Sequence, residues 1–228
     1  MEIDLKKYYF NNDSFLKTLT AKTRTTLSLA TTQKRYKAGK IIYREGKIPR
    51  GVYFIKKGKV KIYQSNQDGR KQIMYIYTAG DLFGYRPIIC DSTHPVTAAT
   101  LEDCTFDYIP ALSFKKILSA NPELSKALLV SLSHEFSVWV NNVTVFARYP
   151  VKSRLALALL ILREKYRERG RYAEINLSRT DLASYVGSVK ETVVRTLQEF
   201  RNADLILTSG RKIKILKPEK LKALASFY

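Results

Sequence analysis

Charged and hydrogen-bonding side chains share one face of a short predicted helix in the C-terminal third of the chain. Apolar residues at three- and four-residue spacing, Val193, Leu197 and Phe200, define the face that this helix buries. The other side carries Lys190, Glu191, Arg195 and Gln198. A polar face of this kind can enter the DNA major groove when a preceding helix and turn position it.

The residues before this helix predict that positioning element. Ser178, with Asp181 three residues on, is typical of a helix N-terminus, and Gly187 supplies the positive φ that often ends a helix. Ser188 and Glu191 have the spacing of a capping box, which predicts that the second helix starts near Ser188. Two helices joined by so short a turn indicate a helix-turn-helix. The alternative is a small helical domain in which Glu191 serves only as a cap.

A predicted β-hairpin follows the two helices. Its strands are the runs 205–208 and 211–216, separated by Ser209 and Gly210. A basic hairpin after a helix-turn-helix is a wing, and Arg211, Lys212 and Lys214 could reach DNA phosphates from it.

Composition favours a polyanionic partner. The 228 residues carry a formal net charge of +20 and give a pI near 9.9. Residues 151–228 hold 17 Lys and Arg against 8 Asp and Glu, a net of +9, so the C-terminal third is the more basic part per residue. The alternative is a general solubility feature.

Several other classes of protein do not fit the composition. The longest apolar run, Leu155 to Leu162, is too short to span a bilayer, and the first ten residues do not resemble a secretory signal. Cys90 and Cys104 form neither a disulfide framework nor a metal-binding spacing. No catalytic triad order, metal-spaced cluster or phosphate-binding loop is present. We therefore expect a cytoplasmic protein with no membrane partner, no metal, no cofactor and no enzymatic activity.

The first half of the chain predicts a small β-structure followed by a long helix. From Gln33 to Pro110, short β-branched and aromatic runs alternate with glycines, which favours a barrel or roll. Asn121-Pro122 then predicts the start of a helix that continues to about Arg148. Its apolar stripe predicts self-association through Leu128, Leu132, Phe136, Trp139, Val143 and Phe146. The alternative is a long core helix within one domain.

Pro150 ends that helical pattern, and the expected organisation follows. We predict an α+β protein with an N-terminal helical and β-roll effector domain at 1–120. A dimerisation helix and hinge should occupy 121–149, and a winged helix-turn-helix domain 150–228.

The order of these motifs resembles the Crp/Fnr family of bacterial transcription regulators over nearly the whole chain. The resemblance depends on Gly80-Asp-Leu-Phe-Gly84 in the roll, and on Leu182-Ala183, Val186-Gly187 and Glu191-Thr-Val193 with Arg195 in the C-terminal domain. It implies a cyclic-nucleotide-binding-like jelly roll, a dimerisation helix and a winged helix-turn-helix. It further implies a homodimer that binds an inverted-repeat operator in double-stranded DNA, with RNA polymerase as a partner if the protein activates transcription.

The resemblance also assigns DNA contacts. Lys190, Glu191 and Arg195 fall on the family's base-reading positions. An arginine fork matches two guanine acceptors, and a carboxylate accepts from a cytosine amine. Phosphate contacts are expected, on the resemblance and on position, from Ser178, Arg179, Thr180, Ser188, Thr192, Arg211, Lys212 and Lys214.

The effector pocket departs from the pattern of the members that bind cyclic AMP. Tyr85 follows Phe83-Gly84 where those members have a glutamate, and His94-Pro95 replaces their phosphate-binding Arg-Ser pair. Trp139 and Val140 replace polar contacts to the base. We therefore expect that cyclic AMP does not bind, and the sequence identifies no effector. The alternative function is a module whose cyclic nucleotide or other small-molecule ligand controls DNA binding.

Overall fold

A computed structural model describes residues 3–10, 18–167, 172 and 174–225. Contacts between residues divide the chain into two compact units. The first unit comprises Met1–Phe10, Arg70–Ile73 and Phe136–Tyr228, and the second comprises Asn11–Gly69 and Met74–Glu135. The division therefore falls inside the long helix, whereas the sequence-based division treats that helix as a segment of its own.

The second unit is built on a β-roll of two four-stranded sheets, as predicted. The strands are β1 (Thr32–Tyr36), β2 (Ile41–Tyr43), β3 (Gly51–Lys57), β4 (Val60–Ser65), β5 (Lys71–Tyr77), β6 (Leu82–Phe83), β7 (Thr97–Thr100) and β8 (Cys104–Pro110). Their orders in the two sheets are β1-β8-β3-β6 and β2-β7-β4-β5. The predicted β-rich runs at 52–55, 60–63 and 73–77 lie in β3, β4 and β5.

Short helices flank the roll, and one apolar core joins them to it. They are α1 (Ala21–Leu29), α2 (Arg86–Ile89) and α3 (Ala111–Ala120). Val52 and Phe54 of β3 pack with Ile109 of β8 and with Phe114 of α3 in this core. Strand β3 is buried along its first five residues because its two faces are both covered.

The long helix α4 (Pro122–Arg148) begins at the predicted proline and has 27 residues, or about 40 Å. Its first turns belong to the core of the roll, where Leu128 is only 2% exposed and Leu132 is partly buried. The prediction that Leu128 faces a second copy of the chain is therefore wrong. The core of the roll already packs against this part of the predicted stripe, so Leu128 is not available to a second copy.

A different apolar stripe on α4 is exposed. It consists of Leu129, Phe136, Val140 and Val143, at spacings of seven, four and three residues. Phe136 and Val143, from the predicted interface, are 70% and 56% exposed, and Trp139 is partly buried. The spacing is that of a coiled-coil seam.

The C-terminal part of the first unit is helical with a small sheet. Helix α5 (Val151–Lys165) buries all eight residues of the run Leu155 to Leu162. Strand β9 (Ile175–Asn176), α6 (Arg179–Val186) and α7 (Lys190–Asn202) follow, then β10 (Ile206–Ser209), β11 (Lys212–Ile215) and α8 (Pro218–Ala225). In the described part of the chain, no helix is both long enough and apolar enough to cross a bilayer.

Candidate nucleic-acid interface

Helix α6 begins and ends as its sequence predicts. The Ser178 Oγ accepts a hydrogen bond from the Asp181 N–H at 3.0 Å, and it donates to the Asp181 carboxylate at 2.7 Å. Gly187 ends the helix with φ +68°, and a Cβ there would lie 3.2 Å from the Phe146 ring. Because the Ser178 Oγ accepts from the Asp181 N–H, this side chain caps the helix in the DNA-free protein.

The second helix, α7, starts at Lys190 with Val189 as its N-cap, and no side chain caps it. The predicted capping box between Ser188 and Glu191 is therefore wrong. The N–H groups of Gly187 and Ser188 both donate to the Ala183 carbonyl, so Ser188 completes the end of α6. The chain must then extend through Val189 before a new helix can start.

The two faces of α7 separate as predicted. Val193, Leu197 and Phe200 are buried, together with Thr196. Lys190, Glu191 and Arg195 are all exposed. Their side chains form no hydrogen bond or ion pair with another described residue. These three groups therefore keep their full hydrogen-bonding capacity for an external partner. Thr192, on the flank of this face, is partly buried.

The hairpin of β10 and β11 forms the predicted wing, with its turn moved by one residue. Ser209 pairs with Lys212, so Gly210 and Arg211 make the turn and Arg211 is not in a strand. Gly210 has φ +53°. Lys212 and Lys214 are exposed on the side opposite buried Ile213, and Lys212 pairs with Glu174 at 3.1 Å. The wing thus presents a basic surface.

Arg179 contacts the wing. Its guanidinium donates to the Gly210 carbonyl at 2.9 Å and to the Arg211 carbonyl at 3.4 Å. Burial lowers the pKa of this guanidinium from its usual value, although an arginine stays charged at neutral pH. The resemblance assigns Arg179 to phosphate, whereas the structure directs it at the turn of the wing. Thr180, the next residue, is exposed at the start of α6.

The expected effector residues of the roll lie in an aromatic core. Phe83 is 1% exposed, and its ring stacks with those of Tyr53 and Tyr77. His94 stacks on Tyr43 with ring centres 3.6 Å apart. Burial lowers the pKa of His94 to about 4, so the imidazole is neutral at physiological pH. A neutral, stacked imidazole cannot replace a cation that binds phosphate.

The other expected effector positions are used within the fold or exposed. Gly84 has φ +85° and approaches the Gly51 carbonyl closely. Pro95 is exposed, and its carbonyl accepts from Gln64 at 3.0 Å. Trp139 and Val140 lie on the part of α4 that belongs to the other unit. The structure therefore groups Phe83, Gly84, Tyr85 and His94 in the roll.

Sequence reasoning missed a buried ion pair in the roll. Glu135 of α4 is 1% exposed and pairs with Arg86 of α2. The Tyr85 hydroxyl donates to the same carboxylate at 3.3 Å. A glutamate one turn before Trp139, in an apolar helix, is a signal that could have identified it, because a buried carboxylate requires a partner.

Comparison with known proteins agrees with this geometry. Residues 33–121 match the cyclic nucleotide-binding domain model, and residues 153–224 match the Crp-like helix-turn-helix domain model. The transcriptional activator protein Anr of Pseudomonas protegens is 28% identical over 83% of this chain and 78% of its own length. The nitrogen fixation regulation protein FixK of Rhizobium meliloti is 29% identical, over 84% of this chain and 86% of its own.

Solved structures share the fold. A transcriptional regulator of the CRP/FNR family from Thermus thermophilus superposes with a TM-score of 0.70 at 27% identity, covering 85% of this chain and 98% of that one. FixK2 from Bradyrhizobium japonicum gives a TM-score of 0.78 at 24% identity, covering 87% and 98%. The two domain models lie in tandem and together cover most of the sequence. The chain belongs to the Crp/Fnr family of transcription regulators.

Proposed function

We propose that this protein is a transcription regulator that binds an inverted-repeat DNA operator as a homodimer. The observation that carries the proposal is the exposed face of α7, on which Lys190, Glu191 and Arg195 have no partner among the described residues. The basic wing lies after it in the same unit. Arginine and glutamate groups free of internal bonds can form base-edge contacts worth about 1–3 kcal/mol of discrimination each.

Selection from randomised duplex DNA tests the sequence specificity. We expect an enriched inverted repeat with half-sites about 34 Å, or one helical turn, apart. Arg195→Ala should relax one position in each half-site, whereas Lys214→Ala should weaken binding to all sequences alike. Recovery of unenriched DNA by the folded wild-type protein would contradict the proposal.

The exposed stripe on α4 supports the homodimer. Leu129, Phe136, Val140 and Val143 lie on one face within about 40° of its centre, and a second copy of the helix would cover them. Sedimentation analysis should show a dimer that Val140→Asp converts to a monomer. Val130→Asp is the matched control, because Val130 is 48% exposed, as against 50% for Val140, but lies about 80° away on the helix. Equal effects of both substitutions would argue against this interface.

The remaining parts of the proposal follow from DNA binding. The protein would act in the cytoplasm, where bacterial DNA is, and would contact RNA polymerase if it activates transcription. The helix and hinge at 121–149 would connect an effector domain at 1–120 to the DNA-binding domain at 150–228. The neutral His94 supports a roll that does not bind cyclic AMP. Calorimetric titration with cyclic AMP should therefore show no saturable heat.

A further inference from the structure

A cleft of about 660 Å³ lies on the outside of the β-roll. The loop that precedes β3 forms one wall, and helices α2 and α3 form others. Most of its lining is apolar and consists of Ile48, Pro49, Pro87, Ile88, Ala111 and Leu112. The volume and the apolar lining are those of sites that bind small molecules.

One end of the cleft is polar. The Lys115 ammonium pairs there with the Asp91 carboxylate, beside the hydroxyls of Ser92 and Thr93. Both partners of this ion pair are well exposed, at 44% and 78%, so the pair contributes little stability. An anion from solution could therefore replace Asp91 as the partner of Lys115 at small cost.

Two more basic residues, Lys47 and Arg50, flank the lining residues Ile48 and Pro49 in the loop before β3. The carbonyl of Lys47 accepts from the His94 N–H, and that of Arg50 accepts from the Ala111 N–H, each at 2.9 Å. These bonds fix the loop beside the lining residues. Among the described residues, the Lys47 and Arg50 side chains have no ion-pair partner. This loop therefore carries positive charge next to the wall of the cleft, which favours an anionic ligand over a cationic one.

Helix α2 connects the cleft to α4. Ile88 lines the cleft, and it also packs in the core that contains Leu124 and Leu128 of α4. Arg86, two residues earlier, pairs with Glu135 of α4. A ligand that displaces this four-residue helix would therefore change two separate contacts with α4.

We infer that the cleft binds a small amphipathic carboxylate, with its apolar body against Leu112 and Ile88 and its carboxylate on Lys115. Phe83 and His94 are buried among stacked aromatic rings, whereas this cleft is open to solvent. The consequence for DNA binding rests on the proposed function. Binding of the carboxylate itself does not depend on that function.

Calorimetric titration of the full chain with sodium decanoate, in the absence of DNA, tests the site. We expect saturable binding of one decanoate per chain, and no saturable binding of decyltrimethylammonium. Lys115→Ala should weaken decanoate binding about tenfold, the value of one charge-assisted contact. Lys116→Ala removes a neighbouring exposed charge outside the cleft and should leave the affinity unchanged.

A second pair of variants tests the apolar wall. Leu112→Asp should abolish binding, whereas Leu29→Asp should not, although the two leucines are equally exposed at 84% and 83%. Because both side chains are in solvent, both variants should fold, which circular dichroism would check.

Three results would overturn the inference. They are absence of saturable decanoate binding, equal binding by the Lys115 and Lys116 variants, and binding of an acidic apolar peptide instead of decanoate. The peptide result would make the cleft a protein-docking surface. A gel shift with and without decanoate is a separate measurement, so a failure of DNA binding would leave the carboxylate site intact.

Discussion

Replacing Arg179 distinguishes a phosphate contact from a contact that positions the wing. The guanidinium donates to two carbonyls of the wing turn, at Gly210 and Arg211. An ammonium group cannot make both bonds in the same fork geometry, whereas it can hold a phosphate as a point charge. Arg179→Lys therefore preserves the charge and removes the two-point contact, and Arg179→Gln removes both.

The two roles predict different salt dependences. Each phosphate neutralised contributes about −0.9 to the slope of log K against log salt concentration. A simple phosphate contact predicts a change of about 0.9 for Arg179→Gln and almost none for Arg179→Lys. If Arg179 instead positions the wing, both variants should lose the phosphate contacts of Arg211 and Lys212. Two lost contacts should change the slope by about 1.8 in each variant.

The assay is equilibrium DNA binding from 50 to 200 mM salt, with hydrogen exchange of the free protein as an independent measurement. Two bonds from a charged, half-buried donor are worth about 1–3 kcal/mol together, so exchange at residues 209–212 should accelerate about tenfold or more. Arg201→Lys and Arg201→Gln are controls, because Arg201 is exposed on α7 and contacts neither carbonyl. An unchanged exchange rate, or an unchanged slope in Arg179→Lys, would refute the positioning role.

Three more predictions concern single side chains. Glu191→Gln should change the selected base at one position per half-site and leave the thermal midpoint unchanged, because Glu191 caps nothing; selection and melting curves measure both. His94 has an ordinary pKa near 6.5 and a pKa of about 4 in the folded protein, so the unfolded chain binds its proton first as the pH falls. The free energy of unfolding should therefore be highest above pH 6.5 and decrease by about 2–3 kcal/mol towards pH 4. Denaturant titrations of His94→Gln should lack that part of the pH dependence. Gly187→Ala should lower the free energy of unfolding by more than about 1 kcal/mol, because φ is +68° and the new Cβ would meet Phe146. A destabilisation no larger than that of an exposed helical Ala→Gly change would contradict this explanation.

The helix-turn-helix could be predicted in detail because its signals are local. Ser178 caps the residue three positions on, and Gly187 takes the left-handed conformation that only glycine adopts at little cost. The capping box at Ser188 was also a local signal, and it was wrong. The N–H of Ser188 could bond either to the Glu191 side chain, as in a capping box, or to the last turn of α6. In the structure it donates to the Ala183 carbonyl at the end of α6.

The face of α4 that is buried could not be obtained from its periodicity. Apolar residues at four- and three-residue spacings predict an amphipathic helix, but they do not determine which neighbours cover it. Leu128 is 2% exposed because the roll packs on it. Val140 is 50% exposed because the described residues leave about half of it uncovered. Burial along a helix this long depends on what packs against each turn.

The sequence alone determined the order of the elements, the Ser178 cap and the Gly187 turn of the helix-turn-helix, and the face of α7 that carries Lys190, Glu191 and Arg195. These features depend on residues within one or two helical turns of each other. The tertiary structure decided that Arg179 binds the wing, that Arg86 pairs with Glu135, and that an apolar cleft with Lys115 at one end forms outside the roll. Each of those features joins residues about 30 to 70 positions apart, and only the folded chain brings such residues together.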